Sequence, residues 1–209
     1  MPRTEAFEKH SQEYEAWFEI HPKLYEAEIK TIQTLLLPFE NGVEIGIGSG
    51  RFALPLGIKK GIEPSKEMAQ IARCKGLEVI EGIAENVPLE EGRYDFVLMI
   101  TTICFVDDAL QSLKEIYRIL KPGGFVIIGF VEKDSELGKL YEKHRRESRF
   151  YKEATFYSTE EVTALLEKAG FHEIEACQTL FGKTLESVET DIKTGSDEGA
   201  FIAIRGIKK

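Results

Sequence analysis

Residues 44–50, Glu-Ile-Gly-Ile-Gly-Ser-Gly, constrain the fold of this chain more than any other stretch. They grow out of a short apolar run, GVEIGI at 42–47. A buried strand that ends in alternating glycines is a strand forced to turn. Glycine tolerates positive φ and lets another group approach the backbone. The turn therefore suits either tight strand–helix packing or a ligand lying on the main chain. A dinucleotide fingerprint has the form G-x-G-x-x-G. Here the spacing is G-x-G-x-G, and Arg51 stands where the third dinucleotide glycine belongs. Glu63, at the end of the next apolar run, lies 17 residues after Gly46, short of the ~20 typical of that motif. A carboxylate there can accept both hydrogen bonds of a ribose diol.

The same texture repeats downstream. GIEPS at 61–65 ends a second strand, and Ser65 is placed to cap a helix reaching about Lys75. LEVIEGI (77–83) makes a third strand and YDFVLMITT (94–102) a fourth, apolar on both faces. Asp108 with Gln111 opens a helix whose apolar stripe is Leu110, Leu113, Ile116, Tyr117 and Leu120. FVIIGFV (125–131) is a fifth strand. Ser158 and Glu161 form a capping box for a helix that Gly170 closes. Two more strands, 171–181 and 199–207, flank a polar loop at 182–198. Residues 1–38 carry helical spacing: Tyr14, Trp17 and Phe18, then Tyr25, Ile29, Ile32 and Leu36 after Pro22. The charged residues 133–152 are expected to be helical as well. Strands alternating with helices predict a mostly parallel sheet of seven strands, covered on both faces. At 209 residues this is one domain. Ligands in such sheets bind at the carboxyl ends of the strands, here just after residues 45, 62, 83 and 100.

Five motifs occur in order: Glu44-x-Gly-x-Gly-x-Gly, Gly-Ile-Glu63-Pro-Ser, Gly82-Ile-Ala84-Glu85-Asn-Val-Pro88-Leu, Tyr94-Asp95-Phe-Val-Leu, and Arg118-Ile-Leu-Lys-Pro-Gly-Gly124-Phe-Val-Ile. Over residues 35–131 the chain resembles the class I S-adenosylmethionine-dependent methyltransferases, in particular the small-molecule branch of the ubiquinone and menaquinone biosynthesis type. The resemblance implies a Rossmann-like three-layer α/β/α sandwich whose last strand is antiparallel. It also implies a division into an N-terminal helical lid (1–38), a cofactor-binding half (39–131), a substrate-cap insertion (132–157) and a C-terminal helix and strand pair (158–209). The cofactor it implies is S-adenosyl-L-methionine. Glu44 would steady the turn and the methionine amino group. Gly46, Gly48 and Gly50 would pack under the methionine and ribose, and Glu63 would bind the ribose hydroxyls. Pro64 would lie against the adenine, Ala84 and Glu85 would edge it, and Thr101 would sit near the transferring methyl. Tyr14, Trp17 and Phe18 resemble the lid that closes over the cofactor. Two departures stand out. Ile83 occupies the position where the family often places an adenine-reading Asp. Only FALPLG separates Arg51 from the next strand, with Pro55 inside it, so the first wall helix is abbreviated.

Methyl transfer from a sulfonium demands alignment more than acid–base groups, so no obligatory catalytic motif is expected and none is found. A general base helps where the acceptor must lose a proton; His10, His21, His144 and His172 are the histidine candidates. Residues 139–152, KLYEKHRRESRFYK, carry six basic and two acidic side chains. They are either a cationic cap for an acidic acceptor, through Arg145, Arg146 or Arg149, with His144 a further candidate on the acceptor side, or a solvated helix with i,i+4 pairs. Tyr141, Phe150, Tyr151, Phe156 and Tyr157 are either packing or an aromatic box for an amine. Cys104 is expected to be a small buried hydrophobe.

Composition narrows the partners. The net charge of −9 argues against nucleic acid, as does the lack of an Asn-Pro-Pro-Tyr motif after the fourth strand. No run reaches the ~18 apolar residues of a membrane span, and the polar start, MPRTEAFEKHSQEYE, does not have the form of a signal peptide. Three scattered cysteines suggest no metal site and suit a reducing cytoplasm. Thirty Glu against six Asp, with two Asn and five Gln, is a thermophile-like bias. Two other readings stay open: a module that binds S-adenosylmethionine or its product without catalysis, and a nicotinamide-dependent oxidoreductase.

Overall fold

The α-helices after the first strand start where capping side chains stand, and strands form where apolar residues crowd. The computed structural model describes residues 3–185 and 187–209. It opens with α1 (Glu5–Lys9), α2 (Ser11–Ile20) and α3 (Pro22–Leu35). The helical stretch expected over 1–38 is thus broken at His10 and His21, both outside helical φ/ψ. Pro22 explains the second break, because it disfavours helical geometry in the residue before it while suiting a first turn. Residues 1, 2 and 186, parts of the expected lid and polar loop, lie outside the described residues.

The remaining order is β1 (Gly42–Ile45), β2 (Lys60–Glu63), α4 (Lys66–Cys74), β3 (Glu78–Glu81), β4 (Tyr94–Ile100), α5 (Ala109–Ile119), β5 (Leu120–Val131), α6 (Glu136–His144), a 3-10 turn (Arg145–Glu147), α7 (Thr159–Ala169), β6 (Phe171–Thr179), β7 (Lys193–Thr194) and β8 (Phe201–Lys208). Ser65 and Asp108 accept the expected capping hydrogen bonds from the N–H groups of Met68 and Gln111, and Ser158 with Glu161 closes a reciprocal box. No helix forms between β1 and β2; residues 51–57 are turns around Pro55.

The sheet runs β3-β2-β1-β4-β5-β8-β6-β7. β1 to β5 are mutually parallel, and β8 is antiparallel to both β5 and β6. The expected seven strands become eight. Lys193–Thr194, inside the expected polar loop, pairs antiparallel with β6 at the sheet edge. It is two residues long with both side chains exposed, so it leaves no periodic trace in the sequence.

Period-two alternation divides β4 and β5 between two cores. Phe96, Leu98, Phe125 and Ile127 face α3 and α4; Val97, Met99, Val126 and Ile128 face α5 and α7. Full burial of each such side chain stabilises the fold by roughly 1.5–3 kcal/mol. These two layers hold the carboxyl ends of β1, β2 and β4 side by side, and there the chain turns into loops. Among the described residues no helix is long and apolar enough to cross a membrane.

Candidate functional site

The chain leaves β1 through Gly46 at φ 71°, where an added Cβ would collide with the Thr102 side chain. Thr102 Oγ1 in turn donates to the carbonyl of Ile100 at 2.9 Å and reaches that of Gly46 at 3.4 Å, which ties the ends of β4 and β1. Gly48, at φ 54°, differs. A Cβ there would meet only Met68 Cε at 3.6 Å and Tyr14 Oη at 3.7 Å. Gly46 is fixed by packing, whereas Gly48 floors a cleft. Gly50 lies outside the cleft wall, against Leu77.

Gly46, Gly48, Glu63, Pro64, Ala84, Glu85 and Thr101, seven of the nine expected cofactor residues, line this one cleft. Glu63 ends β2, and its two carboxylate oxygens accept from Gly48 N at 2.7 Å and Ser65 N at 2.8 Å. Burial pushes its pKa up to about 7, against the pull of those two N–H groups. Each oxygen keeps acceptor capacity to spare. Beneath the turn, Glu44 is 1% exposed. Among the described residues Oε2 has no hydrogen-bond partner. Burial, then the charge of Glu63, raises its pKa well above the usual carboxylate range. Glu85 turns its carboxylate away from a free role, accepting from Asp107 N at 2.6 Å and Asp108 N at 3.3 Å. Glu85 and Ala84 line the cleft together. Thr101 sits at φ 47°, an unfavourable conformation for a β-branched residue that costs of order 1–3 kcal/mol. Such strain belongs at ligand sites more often than elsewhere.

The N-terminal helices roof the cleft with Arg3, Thr4, Phe7 and Tyr14. Carboxylates hold them there. Glu8 accepts from Lys66 N at 2.7 Å and Glu67 N at 3.3 Å, at the positive end of α4. Glu15 accepts from Ser49 Oγ and pairs with Arg51 and Lys75 at 2.8 Å each.

A second, larger cavity of about 540 Å³ adjoins the first, within the ~300–1,000 Å³ of ordinary ligand sites. Phe7, Tyr14, Thr101 and Phe105 line both spaces. Trp17, His144, Tyr141, Phe150 and Tyr151 line the second alone. Of the four histidines only His144 reaches it. Arg145 and Arg149 do not. Arg145 donates to the carbonyl of Ala154 at 2.9 Å, and Arg149 pairs with Glu13 at 2.6 Å, each beside a separate surface hollow. Phe156 packs against Tyr151, with ring centroids 5.6 Å apart, in a small satellite core. Burial pushes the Cys104 thiol up to about 12, which leaves it inert.

Sequence reasoning passed over Phe7, Thr102, Phe105 and Glu28. Glu28 lines the second cavity and is buried. A signal for it existed: it falls three residues after Tyr25 and four before Ile32, a carboxylate on an apolar helical stripe.

The comparisons with known proteins match this geometry. A family model described as "Methyltransferase domain" matches residues 43–128. A crystal structure from Thermotoga maritima, described as a SAM-dependent methyltransferase and "possible histamine N-methyltransferase", is 51% identical, with a TM-score of 0.94 over 99% of this chain and 100% of that one. An uncharacterised protein of Methanocaldococcus jannaschii is 40% identical over 202 residues, covering 97% of this chain and 98% of its own length. The demethylmenaquinone methyltransferase of a Geobacillus species is 29% identical over 154 residues, 61% of this chain and 66% of that enzyme. Likeness along its whole length, together with a cleft at the carboxyl ends of β1, β2 and β4, places the chain among the class I S-adenosylmethionine-dependent methyltransferases.

Proposed function

We propose that the protein transfers the methyl group of S-adenosylmethionine, held in the glycine-floored cleft, to a small molecule seated in the aromatic cavity. The observation that carries this reading is the shared wall. Ligands in the two spaces would meet at Phe7, Tyr14, Thr101 and Phe105, with no side chain required to relay the group. On this reading residues 1–38 are the lid, 39–131 the cofactor half, 132–157 the acceptor cap, and 158–209 complete the sheet.

The donors and acceptors in the cleft fit the cofactor. Beneath the turn rather than on the cleft wall, Glu44 Oε2 is buried and lacks a donor among the described residues, and a methionine ammonium would supply one. Glu63 keeps one open acceptor site on each oxygen beside its backbone partners, as a ribose diol requires. The open face of Gly48 leaves room above the main chain. Pro64, Ala84 and the Glu85 backbone offer an apolar slot with main-chain polar groups for adenine, with Ile83 beside them.

When bound, the cofactor supplies a methyl carbon on a sulfonium: the acceptor's lone pair forms the new bond as the carbon–sulfur pair leaves with sulfur. The chain contributes alignment, which alone can lower a barrier by ~7–11 kcal/mol. Thr101 and Tyr14 fix the seam, and Phe7 and Phe105 keep it dry. The acidic acceptor suggested by the basic stretch at 139–152 draws little support, since Arg145 is held by the Ala154 carbonyl and Arg149 by Glu13, and neither arginine lines the cavity.

Calorimetric titration of the wild type and Glu63→Ala with S-adenosylmethionine, S-adenosylhomocysteine and NAD tests the reading. Both sulfur compounds should bind the wild type, NAD should not, and the variant should bind at least tenfold more weakly, because hydrogen bonds to a charged group contribute ~1.5–3 kcal/mol each. A folded wild type that ignores both sulfur compounds refutes it. Binding without turnover on any acceptor would favour a non-catalytic binding module instead.

A further inference from the structure

Glu28 is the feature the cofactor cleft does not use. It projects from the buried face of α3 into the aromatic cavity and is 8% exposed. Among the described residues its carboxylate has no hydrogen-bond donor and no cation. Burial is the sole influence on its protonation, and holds it at about 8. The other titratable groups on the cavity are Glu13, His144 and Glu147 toward solvent, and Tyr14, Tyr141 and Tyr151 in the wall. No Lys or Arg side chain lines it among the described residues.

An unpaired carboxylate facing an apolar space is costly unless something supplies a positive charge. Glu13 is paired with Arg149 and Glu147 lies beside His144, so Glu28 is the cavity carboxylate left without a cation, and an anionic ligand would meet it with no Lys or Arg side chain in the lining. A neutral apolar ligand would seal Glu28 away from water without a donor. A cation satisfies both constraints, and the faces of Trp17, Phe18, Tyr141 and Tyr151 would add cation–π attraction. We propose that the methyl acceptor is an amine, cationic at neutral pH, on an apolar or aromatic body, and that Glu28 selects it by pairing with its ammonium group. This inference rests on the methyl-transfer reading. It also fixes polarity. Glu28 lines the cavity but not the cofactor cleft, whereas the seam lies at Tyr14 and Thr101. The ammonium is therefore the acceptor's anchor, and the methyl goes to a nucleophilic atom at its other end.

Three probes with one aryl body separate the chemistries: phenethylamine, 3-phenylpropionate and 3-phenylpropan-1-ol. Each is titrated into wild type and Glu28→Gln, both saturated with S-adenosylhomocysteine. The amine should bind the wild type in preference to the acid and the alcohol. Its affinity should fall at least tenfold in Glu28→Gln, while S-adenosylhomocysteine binds both proteins equally. The preference within the wild type needs no variant, so it stands even if Glu28→Gln folds poorly. Equal amine binding by Glu28→Gln, acid or alcohol binding as tight as the amine, or no amine binding at all overturns the inference and leaves the cofactor reading intact. Failure of S-adenosylhomocysteine to bind the wild type overturns both.

Discussion

Glu28→Gln should make the ligand-free protein more stable, and by an amount that depends on pH in a defined way. An acid whose folded pKa lies above its unfolded value weakens the fold as pH rises between the two. For Glu28 the window runs from the ordinary 4.5 to about 8. At ~1.4 kcal/mol per pH unit, the wild type gives up about 3 kcal/mol by pH 7 and about 5 kcal/mol above pH 8. The glutamine variant has no such slope. Every other titrating group is present in both proteins and cancels in the difference. The assay is denaturant unfolding of both proteins without ligand at several pH values from 5 to 8.5. The stability gap should be about 1 kcal/mol at the acid end and widen steadily to several kcal/mol. In thermal unfolding the same gap is roughly 2–4 °C per kcal/mol for a chain of this size. A gap that stays flat across this range would refute the claim that Glu28 is buried and unpaired, and with it the electrostatic case for an amine acceptor.

Other consequences follow from the same geometry. Affinity for S-adenosylhomocysteine should rise about tenfold between pH 6 and 8, as Glu63, held at about 7, ionises and becomes a better acceptor for the diol; in Glu63→Gln calorimetry should show no such rise. Gly46→Ala should lose stability outright, because φ 71° and the Thr102 contact penalise it together. Gly48→Ala carries the strain of φ 54° without a clash, so it should lose less stability than Gly46→Ala and weaken cofactor binding as well, and comparing melting point with affinity separates the two. Glu15→Ala removes the partner of Ser49, Arg51 and Lys75. It should speed S-adenosylhomocysteine release in stopped-flow experiments, and an unchanged off-rate would rule out the lid latch. With a thiol reagent at pH 8, exposed Cys74 should react first, while buried Cys104 and Cys177 react only on unfolding.

What the sequence made legible is what is local. The strand into Gly46, the Ser65, Asp108 and Ser158 caps, and the doubly apolar β4 and β5 each announce themselves within ten residues. Their ordered motifs pointed to one family, and seven of the nine residues assigned on that basis share one cleft. Features that depend on distant segments stayed hidden. β7 has two exposed residues, and only pairing with β6 makes it a strand. Arg145 and Arg149 looked like a cationic cap because charge is visible in sequence and direction is not. Their partners, the Ala154 carbonyl and Glu13, lie nine residues away in one case and on α2 in the other. The aromatic cavity draws its walls from α1, α2, α3, α6 and the loops after β4 and β6, so no single window contains it.

Three buried glutamates tie recognition to stability. Glu28, Glu44 and Glu63 all have pKa values raised chiefly by burial; Glu28 and Glu63 line the two ligand spaces, and Glu44 lies beneath the glycine turn. Without ligand, their ionisation works against the fold as pH rises. A cation at Glu44, a diol at Glu63 and an ammonium at Glu28 would each restore what burial removed. The stabilisation conferred by bound ligands should therefore grow from pH 6 to 8, beyond what mass action at constant affinity gives. S-adenosylhomocysteine alone should recover only the share belonging to Glu44 and Glu63. The share belonging to Glu28 should appear when an amine is added, and should be missing from Glu28→Gln. A ternary complex no more stable than the binary one at pH 8 would mean that Glu28 meets its cation nowhere in the catalytic cycle.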